Sequence, residues 1–237
     1  MEIQKRLVGK EDFKTVYNYP QVNYIKGGVQ RIETSRGCPR LCPYCKEPDK
    51  LEVFDIPRII SNCVEILDMN FLWQPNILDR IKQLGRIKVN NKVVYYDEVC
   101  GFDFRFMSQE IANELKKSRF INIRIAWDWY MNDQYKIKDC LKMLFNAGFS
   151  KKEISCFMIV NWKIPKKECE RKMDLLKIWN IKICDCCYDG GYKIAVPEFW
   201  EQGEIEDFRA DCRKHNQLVN FEIDPEIKPD DIRSIPQ

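Results

Sequence analysis

The sequence is poor in histidine, and this scarcity excludes several kinds of chemistry. His215 is the single histidine among 237 residues. Zinc sites of mixed cysteine and histidine, and catalytic pairs of serine or cysteine with histidine, therefore have almost no side chain to draw on. Any metal chemistry in this chain has to be thiolate chemistry. His215 lies in CRKHNQ on the last predicted helix, where we expect it on the surface.

Long apolar runs are also missing. No stretch approaches the roughly 18 uninterrupted apolar residues of a membrane span. The segment MEIQKRLVGKEDF has no apolar core of the kind found in a signal peptide. The formal net charge of +3 is too small to indicate a surface that coats nucleic acid. We expect a cytoplasmic protein that makes no contact with membranes.

Cysteine, by contrast, is abundant, with 12 residues in the chain. A short secreted protein would use them in disulfides, but this chain is long and we expect it in a reducing compartment. Reduced cysteines serve as core residues, metal ligands or catalytic groups. We expect Cys63, Cys140 and Cys169 to be buried core residues.

Six short runs rich in β-branched or aromatic residues predict strands at 29–34, 63–67, 92–96, 121–126, 154–160 and 181–186. Helical patterns separate most of them, at 75–84, 108–117, 135–147 and 165–179, and a last helix is predicted around 203–214. The first connection, 46–62, contains two prolines, so its helix is predicted to be short or missing.

This alternation is typical of an α/β fold with parallel strands and crossover helices. Six units are too few for a complete eight-stranded barrel, so the prediction is an open, partial (β/α)6 barrel. We assign residues 1–28 to an N-terminal extension and 29–188 to the barrel core. A C-terminal loop, helix and tail, 189–237, are predicted to pack on that core.

A cysteine motif follows the first predicted strand. TSRGCPRLCPYC has the spacing C-x3-C-x2-C and places Cys38, Cys42 and Cys45 within eight residues. A disulfide between two of these cysteines would leave the third without a partner, but all three thiolates can surround a compact metal cluster. A [4Fe–4S] cluster normally has four cysteine ligands, so three leave one iron open to a cofactor with amino and carboxylate groups. A structural zinc site, with Cys63 or Cys100 as fourth ligand, is the alternative.

The motif and its flanks resemble the radical S-adenosylmethionine (SAM) superfamily, most closely the branch of methylthiotransferases and cobalamin-associated enzymes. Tyr44, the aromatic residue before the last cysteine, is part of the resemblance. LDMNFL at 67–72, GFDFR at 101–105 and RIAWD at 124–128 are similar to later strand ends of small members. The resemblance covers roughly residues 29–188.

The resemblance implies that the three cysteines bind a [4Fe–4S] cluster and that SAM binds its fourth iron. Cleavage of SAM would give a 5′-deoxyadenosyl radical that abstracts hydrogen from a substrate. It also implies an electron donor such as flavodoxin or ferredoxin. Tyr44 would contribute its backbone near the adenine. Asp68 and Asn70 would bind the amino group or ribose of SAM, or else form a turn. Arg105 would bind the SAM carboxylate, or else a surface acid.

The fourth and sixth strands carry further candidates. Period-two alternation places Arg124 and Asp128 on the polar face of the fourth strand, predicted to contact SAM or substrate, or otherwise to form structural pairs. Asp128 is our candidate catalytic residue there. In CDCC, Cys184 and Cys186 share a face and Cys187 does not. We expect these thiols either to bind an auxiliary cluster or to be small core residues. Cys186 is also a candidate for a catalytic thiol that faces the substrate.

Tryptophans suggest a substrate class. Trp73, Trp127, Trp162 and Trp200 lie near strand ends or in the last loop, where flat rings can stack on a nucleobase. Strict alternation turns Trp127 toward the helices, which weakens this argument. A nucleoside or nucleic acid is the preferred substrate, and a peptide is second. A non-catalytic iron–sulfur or zinc module is the alternative of another class.

Overall fold

The computed structural model describes residues 19–40, 42, 44–45, 47–128, 131–160, 163–187, 199–201 and 203–222. The strands of this part are β1 (Asn23–Lys26), β2 (Val29–Ile32), β3 (Ser35–Arg36), β4 (Glu52–Val53), β5 (Cys63–Ile66), β6 (Lys88–Val89), β7 (Lys92–Val93), β8 (Tyr95–Glu98), β9 (Phe120–Ile121), β10 (Ile123–Ala126), β11 (Ile154–Val160) and β12 (Lys182–Cys187). The α-helices are α1 (Ile77–Arg86), α2 (Gln109–Lys117), α3 (Gln134–Asn146), α4 (Lys166–Trp179) and α5 (Glu204–Phe221). Short 3-10 helices cover Phe71–Trp73, Phe104–Phe106, Met131–Asp133 and Lys151–Glu153.

Two main sheets contain the parallel strands. The larger has the order β1-β2-β5-β8-β9 and the smaller β10-β11-β12. Neighbours are parallel throughout both sheets except for β1, which is antiparallel to β2. The prediction of an α/β fold with parallel strands is therefore confirmed. The described strands do not close into a barrel. β1 falls in the segment that we assigned to an N-terminal extension.

Main-chain hydrogen bonds around Phe102 join the two sheets. Its amide donates to the carbonyl of Arg124 at 2.7 Å, and its carbonyl accepts from the amide of Ala126 at 3.0 Å. Phe102 thereby forms an isolated parallel bridge with Ile125 of β10. The chain that follows β8 is consequently held against β10, although the two belong to different sheets.

The two faces of the sheets differ in polarity. In β10, Ile123 and Ile125 are buried, and Arg124 between them is half-buried. β5 repeats this pattern, with Val64 buried and Glu65 half-buried. Helices pack against both sheets, since α4 contacts β11 and α2 contacts β9. The alternation of apolar and polar residues predicted for the fourth strand is thus present.

Helix positions follow the predictions closely at several ends. Ser108 caps α2, because its hydroxyl oxygen accepts a hydrogen bond from the Ile111 amide at 3.2 Å. Between residues 47 and 62 there is β4 and no helix, as the two prolines predicted. The predicted strand 92–96 is displaced to β8, because Asn90 and Asn91 adopt positive φ and turn 88–93 into a hairpin.

Two burial predictions are wrong. Cys140 and Cys169 are buried, but Cys63 is exposed, since the first residue of β5 lies at the open end of the sheet. His215 is only 8% exposed rather than on the surface. α5 lies along the edge of β12, where the His215 ring meets the Ile181 carbonyl at 2.9 Å. The Asn216 amide accepts from and donates to the main chain of Ile183, both at 2.7 Å.

No helix in the described ranges combines the length and apolarity needed to cross a membrane.

Candidate functional site

A cavity of about 250 Å³ opens where the parallel strands end. Most of its wall residues belong to a strand's last residues or to the segment after a strand, which is where α/β folds place their sites, and Phe157 within β11 is an exception. The wall residues that carry chemistry are Cys38, Arg40, Cys42, Tyr44, Cys45, Asn70, Cys100, Asp103, Arg105, Asp128 and Cys186.

The cysteine loop that follows β3 is held by its own backbone. The Cys38 amide donates to the Pro48 carbonyl at 2.7 Å, and the Cys45 amide donates to the Cys42 carbonyl at 3.0 Å. Gly37 has φ +78°, and a Cβ there would lie 2.2 Å from the Lys50 carbonyl oxygen. A glycine is therefore required at the entrance to the loop.

The three loop cysteines form no disulfide and are partly buried. Burial raises the pKa of Cys45 to about 12 and also raises the pKa values of Cys38 and Cys42. Binding a cluster would therefore release protons, because metal ligands bind as thiolates. In the described part of the chain, no three Cys, His, Asp or Glu side chains converge tightly enough to hold a metal ion. A four-iron cluster is bound through separate irons, so its thiolates need not converge on one point.

Asn70, which follows β5, lines the cavity and carries a hydrogen-bond acceptor, its side-chain oxygen. Its side-chain nitrogen lies 3.5 Å from the Cys38 sulfur and 3.4 Å from Asp103 Oδ2. The side-chain oxygen of Asn70 is buried and has no hydrogen-bond partner among the described residues. A buried orphan acceptor costs about 1–3 kcal/mol. An ammonium or hydroxyl group of a ligand in the cavity would satisfy it.

Asp103 and Arg105 form an ion pair within the turn after β8. Arg105 Nε lies 2.6 Å from Asp103 Oδ1, and Arg105 Nη2 donates to Asp103 Oδ2 at 2.7 Å. Asp103 also accepts from the Arg105 amide at 3.1 Å. Arg105 therefore reaches the cavity with a carboxylate already beside it. Arg40, exposed at the cavity wall, is a second guanidinium group there.

The Tyr44 hydroxyl donates a hydrogen bond to the Asp128 carboxylate. Burial is the main cause that raises the pKa of Asp128 above its ordinary value of 3.8, and the bond from Tyr44 opposes that rise. The pKa of the Tyr44 phenol is raised by burial and by the Asp128 charge, so the phenol remains a donor. The prediction gave Tyr44 a backbone role near the adenine, compatible with a packed ring, and did not foresee that its hydroxyl group joins the cysteine loop to the end of β10.

Comparisons with known proteins give no identification. The chain matches no protein-family model, and a search of curated proteins finds no match to it.

Asp68 lies beneath the cavity wall rather than in it. Its carboxylate is fully buried and accepts hydrogen bonds from the Thr34 amide at 2.7 Å, the Ser35 hydroxyl at 3.0 Å and the Gln74 amide at 2.8 Å. Burial raises its pKa, and the bonds from Thr34 and Ser35 oppose that shift. Asp68 thus anchors the main chain that leads into the cysteine loop.

Arg124 pairs within the sheets. Its guanidinium group forms an ion pair with Asp97 of β8 and donates to the Glu98 carbonyl at 3.0 Å. It is not among the residues of the cavity wall. Cys186, by contrast, does line the cavity, as expected for a substrate-facing thiol. The side chain of Cys187 lies outside the described residues.

The described tryptophans pack against other parts of the protein and do not line the cavity. Trp127 stacks on Trp179 with ring centroids 5.9 Å apart, and Trp73 packs on Phe106 at 4.8 Å. Trp200 is buried and donates to the Ile164 carbonyl at 3.2 Å. None of these four tryptophans belongs to the cavity wall. Trp162, the fourth predicted base-stacking residue, lies outside the described residues.

Sequence reasoning missed three groups that shape the site. Phe157 of β11 forms part of the cavity wall against Gly101, where a Cβ would lie 2.6 Å from two ring atoms. Asp103 lies in the GFDFR segment, but its pairing with Arg105 is a turn geometry that spacing alone does not reveal. Lys172 could have been noticed, because it interrupts the apolar face of α4.

Proposed function

We propose that this chain is a radical SAM enzyme in which Cys38, Cys42 and Cys45 bind a [4Fe–4S] cluster. One observation carries the proposal: all three thiols of the C-x3-C-x2-C motif lie in the wall of one cavity at the ends of parallel strands. Iron–sulfur clusters are held by cysteine thiolates, and three of them leave one iron for SAM.

The polar groups of the cavity support SAM as the second ligand. SAM carries an ammonium group, a carboxylate and ribose hydroxyls. The orphan oxygen of Asn70 suits the ammonium group. Arg40 and Arg105 are the cationic groups that a carboxylate would meet. The Asp128 carboxylate would accept a hydrogen bond from a ribose hydroxyl group when that group replaces the Tyr44 hydroxyl.

For the fold, we propose that the two sheets form one partial (β/α)6 barrel. The bridge between Phe102 and Ile125 supports this, since it connects the segment after β8 of the larger sheet to β10 of the smaller one. The strands β2, β5, β8, β10, β11 and β12 would then be the six barrel strands. Their order along the chain matches the six predicted strands.

When bound, the cluster and SAM would supply a 5′-deoxyadenosyl radical that removes a hydrogen atom from the substrate. The chain itself binds and orients the reacting groups and excludes water. Asp128 would position ligand hydroxyls, and Cys186 would face the substrate. The chemistry needs an electron donor such as flavodoxin or ferredoxin and a reducing, cytoplasmic environment.

We propose a nucleoside or nucleic acid as the substrate class to test first. Phe157 supports this choice, because its partly buried ring faces the cavity where a base would enter. Stacking of a base on an aromatic side chain contributes about 1–3 kcal/mol. A peptide is the second class, and the same assay can test both.

Anaerobic reconstitution followed by addition of dithionite and SAM tests the proposal. We expect iron uptake and formation of 5′-deoxyadenosine, both lost when Cys42 is replaced by alanine. A non-catalytic iron–sulfur module would take up iron and form no 5′-deoxyadenosine. Stoichiometric zinc without iron uptake would contradict the cluster assignment.

A further inference from the structure

Lys172 is a charged residue on the core face of α4. Its neighbours on that face, Cys169, Met173 and Leu176, are apolar and buried, and Lys172 itself is 0% exposed. Burial lowers the pKa of its ammonium group. A lysine in this position is costly, because a buried charge loses its hydration. Methionine or leucine would fill the same space without that cost.

The contacts of Lys172 converge on one point of the backbone. In the described part of the chain, its ammonium group donates to the carbonyl of Asp128 at 3.1 Å and to that of Trp127 at 3.4 Å. The same ammonium group lies 5.5 Å from the centroid of the Trp127 ring. Lys172 therefore binds the two residues at which the chain leaves β10.

Hydrogen bonds to β11 hold the same two residues from another side. The Trp127 amide donates to the Phe157 carbonyl at 3.1 Å, and the Ile159 amide donates to the Asp128 carbonyl at 3.3 Å. With its main chain fixed in this way, Asp128 directs its carboxylate into the cavity toward Tyr44. The helix side of the fold thus supplies the support for a cavity side chain.

We propose that Lys172 is a positioning residue: it fixes the main chain of Asp128, and so the place of the Asp128 carboxylate at which SAM binds. This inference rests on the proposed function for the identity of the ligand. It goes beyond that function in assigning a binding role to a core lysine that does not touch the cavity.

Replacement of Lys172 by methionine separates positioning from packing. Replacing a buried charged side chain by an apolar one of similar volume is often neutral or stabilising. The melting temperature of Lys172→Met should therefore equal or exceed that of wild type. Hydrogen exchange at the Trp127 and Ile159 amides should become at least about tenfold faster in the cluster-free protein. Lys167→Met, at an exposed position of the same helix, is the matched control and should change neither quantity.

SAM affinity of the reconstituted protein provides the second measurement. Lys172→Met should weaken SAM binding at least about tenfold with iron content unchanged. In the Asp128→Asn background the same substitution should have no more than about a twofold effect, because the two residues act through one carboxylate. If the effects of Lys172→Met and Asp128→Asn on SAM affinity multiply, as independent effects do, Lys172 has a general packing role and the proposal is overturned.

Two failures can be told apart. If wild-type protein takes up iron but does not bind SAM, the proposed function is wrong, and the exchange measurement still decides whether Lys172 fixes Asp128. If wild type binds SAM and Lys172→Met binds it equally well, the proposed function stands and this inference is wrong. Unchanged exchange at both amides would likewise overturn it.

Discussion

Tyr44 and Asp128 are 84 residues apart in sequence and joined by a hydrogen bond between their side chains. The bond connects the cysteine loop to the end of β10 and thereby joins two walls of the cavity. Replacing Tyr44 by phenylalanine should free the Asp128 carboxylate while leaving the loop cysteines in place.

The cluster ligands can be tested singly. Alanine at Cys38, Cys42 or Cys45 should abolish uptake of about four irons per chain, since in the proposed cluster each thiolate would bind a separate iron. Cys63→Ala is the matched control, because Cys63 is an exposed thiol outside the cavity. Iron analysis and visible absorption after anaerobic reconstitution give the answer. Loss of iron in the Cys63 variant, or its retention in a loop variant, would show that the ligands are misassigned.

Asp128→Asn tests the carboxylate in the cavity. Iron content should be unchanged, while cleavage of SAM should fall at least about tenfold, which is about 1.4 kcal/mol of transition-state stabilisation. The matched control is Asp139→Asn, an exposed aspartate of α3 paired with Lys142. Quantification of 5′-deoxyadenosine measures the effect. Normal activity in the Asp128 variant would contradict a role for this carboxylate.

Gly101 is required by both conformation and space. It has φ +90°, and an added Cβ would lie 2.6 Å from two atoms of the Phe157 ring. Gly101→Ala should therefore lower the free energy of unfolding by about 1–3 kcal/mol. Gly148→Ala shares the positive φ of +91° but meets nothing within 4 Å, so it should cost less. Denaturant unfolding compares them.

The Phe157→Ala background isolates the steric part of the Gly101 effect. With the ring removed, Gly101→Ala should cost no more than Gly148→Ala, because only backbone strain remains. An undiminished cost in that background would show that Phe157 is not the obstacle.

His215 gives a pH dependence that can be assigned to one residue, because it is the only histidine in the chain. Burial lowers its pKa below the ordinary 6.5, and its bond to the Ile181 carbonyl opposes that shift only in part. The unfolded chain therefore binds the proton more readily. Stability from neutral His215 is present above the unfolded pKa and is lost as the pH falls through the folded pKa.

Other titrating groups contribute equally to wild type and to His215→Gln, so their effect cancels when the two proteins are compared. Glu98, whose buried carboxyl group has a raised pKa, is one such group. Between about pH 7 and about pH 5, wild type should lose more free energy of unfolding than the variant. Unfolding in denaturant at several pH values measures the difference. Identical slopes would mean that His215 is not held neutral by the fold.

The parallel pairing of the strands was predictable, because short runs rich in β-branched or aromatic residues alternate with helical runs along the sequence. Residues 154–160 form β11 as predicted, and α4 begins within one residue of its predicted start. Capping by Ser108 and the absence of a helix between 47 and 62 follow from local chemistry. Such features depend on near neighbours in sequence, so local reasoning reaches them.

The sequence by itself determined the thiol motif and its place after a strand, since three cysteines and their spacing are written in one short segment. Only the tertiary structure decided what surrounds them. Asp68 turned out to be saturated by Thr34, Ser35 and Gln74, while the neighbouring Asn70 kept an acceptor for the cavity. Whether a polar side chain meets a ligand or another residue depends on partners distant in sequence, and those partners are assigned only when the strands pack together.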